Sequence, residues 1–183
     1  MSDVLFSSKP QESGRLTRCL QSIYCALAPP VREIHGPWGS IAASRTHYTG
    51  FSPIEDEHRL VVVVGGPILT FAHNRFLTGD DPTAGTRRVY ERWEGGRLSY
   101  ERDLSGPFVL VVVDKDTRRI WCVTDLMMYI PVYYYTDTSG IVIGTHVDAV
   151  ARAAGIEGRY DWVSLADFVL NGTVVYPYSS YAG

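Results

Sequence analysis

Cysteine is scarce in this chain: Cys19, Cys25 and Cys122 are an odd set with no paired spacing. That argues against a disulfide framework or a cysteine-based zinc site and fits a reducing compartment. Long hydrophobic runs are lacking too, since none reaches the ~20 residues that span a bilayer. The start, Met1-Ser2-Asp3-Val4, has neither the basic nor the apolar region of a secretory signal. A cytoplasmic location is the expectation. Charge of one sign is also missing: 17 Lys and Arg stand against 20 Asp and Glu, net −3, interspersed along the chain. Nothing therefore suggests a nucleic-acid footprint or a polybasic membrane surface. The five histidines, His35, His47, His58, His73 and His146, are scattered without metal-ligand spacing, and no metal or other cofactor is expected. Repeats and low-complexity segments are absent.

What is present is a core of one domain's size, residues 1–183, organised around residues 103–135. Residues 108–113 form a continuous run of β-branched and aromatic side chains, the pattern of a strand covered on both faces. Asp114-Lys115-Asp116-Thr117 reverses it, and residues 120–124 return as its partner. A Pro-containing link then leads into a tyrosine-rich third strand. Elsewhere, residues 4–6 and 60–64 read as strands, the second broken by Gly65-Gly66-Pro67 and resumed at 68–71. Residues 40–44 read as a short strand and 140–144 as another. Apolar residues at helical spacing over 15–28, stopped by Pro29-Pro30, predict an amphipathic helix. Further helices are expected at 83–93, at 147–154 closed by Gly155, and at 164–170 closed by Asn171-Gly172. Strands and helices without regular βαβ alternation indicate an α+β domain. Twelve tyrosines and four tryptophans suit such a packed, β-rich core.

The pattern Leu104-x-Gly106-x-Phe108, then Asp114, Asp125 and Pro131-Val132-Tyr133-Tyr134, resembles the hairpin of class II glutamine amidotransferase domains. These domains stand at the N-terminus of asparagine synthetases, where the pattern reads L-x-G-x-F-A, strand, Asp, strand, R-D-R-x-G-x-K-P-L-Y-Y. Thr124 departs from its first Arg, Met128 from its Gly and Ile130 from its basic residue. The likeness extends along almost the whole chain. Gly65-Gly66-Pro67-Ile68 lies over the family's N-G-E-I, Gly79-Asp80-Asp81 over its G-S-D, and residues 165–172 over its closing Y-L-x-x-G. The resemblance implies a four-layer αββα sandwich of the N-terminal-nucleophile hydrolase type.

It also implies a site, and the site is altered. Active members expose a cysteine after Met removal, and its α-amine, with a pKa near ~8, serves as base. Here Ser2 holds that place, a weaker candidate nucleophile. The family's oxyanion donors are an Asn side chain and the next Gly N–H. Gly65 replaces the Asn, and Gly66 remains as a candidate backbone donor. Pro67 replaces a substrate-binding Glu. Asp81 lies over the glutamine-binding Asp, and Arg45 is a candidate for the carboxylate-binding Arg. No S-G-G-x-D-S loop for ATP is present.

The reading that follows is a catalytically silent domain supporting the synthetase half of an asparagine synthetase-like, amide-forming enzyme. β-Lactam synthetases and lasso-peptide cyclases are similar cases. The synthetase half is the expected partner, in the same polypeptide or as a separate chain, and a homo-oligomer stays open. Two alternatives are an amidohydrolase using Ser2 and a stand-alone module binding an amino acid or peptide near Gly65 and Asp81.

Overall fold

Alternation within apolar runs builds the strands. The computed structural model describes residues 3–44, 49–66, 68–69, 81–96, 104–175 and 178–182. In it the two strongest runs lie side by side as β5 (Arg59–Gly65) and β8 (Phe108–Asp114), antiparallel, with Val62 opposite Val111. Successive side chains point to opposite faces. Leu60, Val62, Val64, Val109, Val111 and Val113 therefore enter one core, while Val61, Val63, Leu110 and Val112 enter another. β9 (Arg119–Thr124) returns against β8, and β4 (Ile54–Glu55) pairs with β5, giving the order β4-β5-β8-β9.

β1 (Val4–Ser7) is the middle strand of a second antiparallel sheet. It lies between β11 (Gly140–Gly144) and β3 (Gly39–Ser44), with β10 (Tyr133–Asp137) and β2 (Val31–Gly36) at the edges. Val4, Phe6, Ile41 and Ala43 from this sheet share one apolar core with the β5 and β8 valines, and Trp38 stacks on Phe6 with ring centroids 6.3 Å apart. Each fully buried aliphatic side chain contributes roughly 1.5–3 kcal/mol, so this shared core is the main force joining the sheets.

The opposite face of the five-stranded sheet is covered by helices. Leu5, Ala42 and Val142 pack against Leu16 and Leu20 of α1 (Arg15–Gln21) and against Ala149, Val150 and Ala153 of α3 (Val147–Ala154). Beyond the four-stranded sheet, Val89 of α2 (Ala84–Glu94) packs with Phe51, Val61 and Val63, and Trp93 meets Trp121 edge-on at 5.6 Å. α4 (Trp162–Asn171) joins none of these cores. A short pair, β6 (Ile68–Leu69) with β7 (Leu104–Ser105), stands apart. The fold is α+β, with two principal antiparallel sheets and four helices among the described residues.

Two expectations need correction. The first helix stops at Gln21, well short of residue 28. Ser22 caps it, its N–H donating to the Arg18 carbonyl and its hydroxyl to the Cys19 carbonyl at 2.8 Å. The Tyr24 hydroxyl is then drawn to Asp3, and Leu27 is left 95% exposed. Tertiary hydrogen bonding thus overrides the apolar period over the last turn. β2 was not expected at all. Its exposed Arg32 suits an edge, where charged residues guard unpaired backbone, while Glu33 turns inward to accept from the Thr17 N–H of α1 at 3.1 Å, a role its charge conceals in the sequence. Residues 70–71, assigned to a strand from sequence, and Gly79 and Asp80, matched to the resembled family's G-S-D, lie outside the described residues.

Candidate functional site

Ser2 and Arg45 lie outside the described residues, as does Pro67. Gly65, Gly66 and Asp81 are described, and each has a local structural employment. Gly65 ends β5 with φ 90°, in the left-handed region. A Cβ there would stand 2.2 Å from the Pro107 carbonyl oxygen, 2.8 Å from Ile130 Cδ1 and 3.0 Å from Phe108 Cα. Position 65 is therefore closed to a side chain, for reasons of both φ and space. The Gly66 N–H donates to the Pro107 carbonyl at 3.0 Å. In this conformation it is spent, and stabilising an oxyanion would require that hydrogen bond to open.

Asp81 sits before α2. Its Oδ1 accepts from the Thr83 N–H at 2.8 Å and from the Thr83 hydroxyl at 2.7 Å, and Arg87 lies 4.0 Å from its Oδ2. The Thr83 hydroxyl and N–H hold the exposed carboxyl below its ordinary range. These contacts are the turn that starts a helix.

The loop at 125–130 follows β9 and borders Gly65 through Ile130. It is organised by Asp125, which is 5% exposed. The Asp125 carboxylate accepts from the N–H groups of Phe108 (3.3 Å), Met127 (3.0 Å) and Tyr129 (3.2 Å). Met128, standing where the resembled family has Gly, adopts φ 50°. A left-handed non-glycine residue costs about 1–2 kcal/mol, partly offset because Met restricts the unfolded chain more than Gly does. Met128→Gly is expected to stabilise the domain by about 0.5 kcal/mol, read as a higher urea midpoint at unchanged slope.

Sequence reasoning missed the polar cluster at the start of β1. Asp3 is 3% exposed. Its N–H donates to Ser44 Oγ at 2.6 Å, and its carbonyl accepts from the Ser44 N–H at 2.8 Å. Its carboxylate accepts from Thr145 Oγ1 at 3.0 Å and from the Tyr24 hydroxyl. The Thr145 hydroxyl also accepts from the Val4 N–H at 3.1 Å. Burial, and then Asp3, push the Tyr24 phenol up to about 12. An acid directly ahead of a buried apolar run was the one visible clue.

Neither partly buried cysteine is activated. Burial raises Cys122 to about 11 and also raises Cys19. Among the described residues no group of three or more His, Cys, Asp or Glu comes together as a metal-ligand set. No helix among them is long and apolar enough to cross a membrane.

α4 and its surroundings carry an exposed apolar surface. Asp161 caps this helix by accepting from the Val163 N–H at 3.1 Å, and Gly172 ends it at φ 75°. Between them Trp162, Val163, Phe168, Val169 and Leu170 are all exposed, with Val175 and Tyr178 beyond, and Ser164 is the one buried residue of the helix. The segment is tied to the body through Tyr181, which stacks on Tyr160 and donates to Asp148 Oδ1 at 2.6 Å. No protein-family model matches the chain, and no curated protein matches it.

Proposed function

We propose that the chain is a catalytically silent, glutamine amidotransferase-like N-terminal domain of an asparagine synthetase-like, ATP-dependent amide-forming enzyme. Its role is to support the synthetase half. The observation that carries this reading is α4, a helix apolar on nearly all sides whose large side chains face water. Such a helix is normally covered. A synthetase half, in the same polypeptide or as a separate chain, is the surface that covers it.

Two further observations support the reading. The sheets share one core and carry helices on their other faces, as in the four-layer αββα sandwich of N-terminal-nucleophile hydrolases, and Val4 of β1 belongs to the same core as Val64 beside the Gly65 turn. Meanwhile Gly65 has no room for an oxyanion-donating side chain, and the Gly66 N–H is already engaged.

The test is association with a synthetase chain that carries the S-G-G-x-D-S loop. The double substitution Phe168→Asp, Leu170→Asp alters two exposed positions and should leave the fold intact. It is expected to weaken the complex by at least about tenfold in Kd, since buried apolar anchors dominate interfaces. A complex of unchanged affinity would contradict the assignment of α4.

A further inference from the structure

An open cavity of about 220 Å³ lies at the end of β1 remote from Asp3, where the β10–β11 hairpin meets the start of α1 and the end of α3. That volume is below the ~300–1,000 Å³ of sites for drug-sized ligands, so it suits a small metabolite. Half of its lining residues are polar or charged. Ser7, Lys9, Gln11, Arg15, Asp137 and Ser139 all contribute.

Three features show unspent binding capacity. The first is Ser7, only 1% exposed. Its Oγ accepts from the Gln11 side-chain amide at 2.9 Å and from the Lys9 N–H at 3.3 Å, yet it donates to no acceptor among the described residues. A buried hydroxyl that does not spend its proton is costly unless something else takes it. The second is the pair Lys9 and Arg15. Neither side chain has a carboxylate within 4.0 Å among the described residues, although both line the cavity. The third is Asp137, whose Oδ1 is fixed by the Ser139 N–H at 2.7 Å and by the Ser139 hydroxyl. Those hydrogen bonds, the hydroxyl's first, and more weakly the charge of Lys9, hold the Asp137 carboxyl below its ordinary range.

We propose that this cavity binds an acidic amino acid, its carboxylates held by Lys9, Arg15 and the Ser7 hydroxyl and its ammonium by Asp137. Charge selects the class. Two cations and one anion leave the lining at net +1, which an amino acid of net −1 neutralises. A guanidinium pairs well with a carboxylate, and a free hydroxyl donor adds a charge-assisted bond. The site lies apart from Gly65 and Asp81 and does not depend on the synthetase reading.

Isothermal titration calorimetry on the full chain tests it, with L-glutamate and with glutarate, which has the same carboxylates and no ammonium. Saturable binding of L-glutamate is expected, with glutarate at least about fivefold weaker. Lys9 and Arg15 are exposed, so Lys9→Gln combined with Arg15→Gln should keep the melting temperature while weakening L-glutamate by about tenfold or more. Asp137→Asn should remove the preference for L-glutamate over glutarate. The proposal is overturned by no saturable heat up to about 10 mM, by glutarate binding as tightly as L-glutamate, or by indifference to the double substitution. Survival of the preference in Asp137→Asn overturns it as well.

Discussion

Gly65→Asn supplies the side chain that an oxyanion donor would need, and it is expected to yield a less stable domain with no glutaminase activity. The chain leaves β5 at φ 90°, and a Cβ would fall 2.2 Å from the Pro107 carbonyl oxygen. Backbone does not yield as a flexible side chain does. The left-handed conformation alone costs a side-chain-bearing residue about 1–2 kcal/mol. Displacing Pro107 also strains its hydrogen bond from the Gly66 N–H and the register of Gly65 opposite Phe108. A total loss of about 2–4 kcal/mol follows, in the range of mutations that break a special backbone position. Urea unfolding measures it, and Gly65→Ala should lose nearly as much because the clash is with the Cβ. A variant as stable as the parent would show that the Gly65 turn is not the constraint described.

Asp3→Ala is the second large effect. It removes the carboxylate that accepts from two hydroxyls, those of Tyr24 and Thr145. Leaving a buried donor unpaired costs roughly 1–3 kcal/mol, so a loss of about 2–4 kcal/mol is expected, with Asp3→Asn intermediate because one carbonyl oxygen remains. Tyr24 provides an independent readout. Its phenol titrates near 10 when unfolded and near 12 in the fold, so the folded state favours the neutral form. That contribution is whole below pH 10 and is lost as the pH rises to about 12. In Asp3→Ala the Tyr24 phenol should titrate at lower pH than in the parent, which ultraviolet absorbance follows. It should stay above the ordinary value, because burial is the larger cause. An unchanged Tyr24 titration would mean that the Tyr24–Asp3 bond is not formed in solution.

Much of the fold was legible because it was written locally. The β8–β9 hairpin is an apolar run, a charged reversal and a return, and α3 and α4 end at Gly155 and Gly172, both left-handed as helix-closing glycines should be. What failed was decided at a distance. The apolar period of α1 continued toward Leu27, but Tyr24 is claimed by Asp3, and β2 was hidden by the charges of an edge strand.

The site was less legible than the fold for the same reason. Gly65 and Asp81 stood out as residues, yet the need for glycine at 65 comes from Pro107, a residue far along the chain. The partners of Asp3 lie 21, 41 and 142 positions away, a spacing no motif could express.

Glutamine-dependent ammonia release by the purified chain tests the central claim most directly, with Ser2→Ala measured beside it and Met1 removal checked by intact mass. Silence of the site predicts no ammonia above the Ser2→Ala background, whether or not Met1 has been removed. Saturable release that disappears in Ser2→Ala would contradict it and would make the chain a working amidohydrolase.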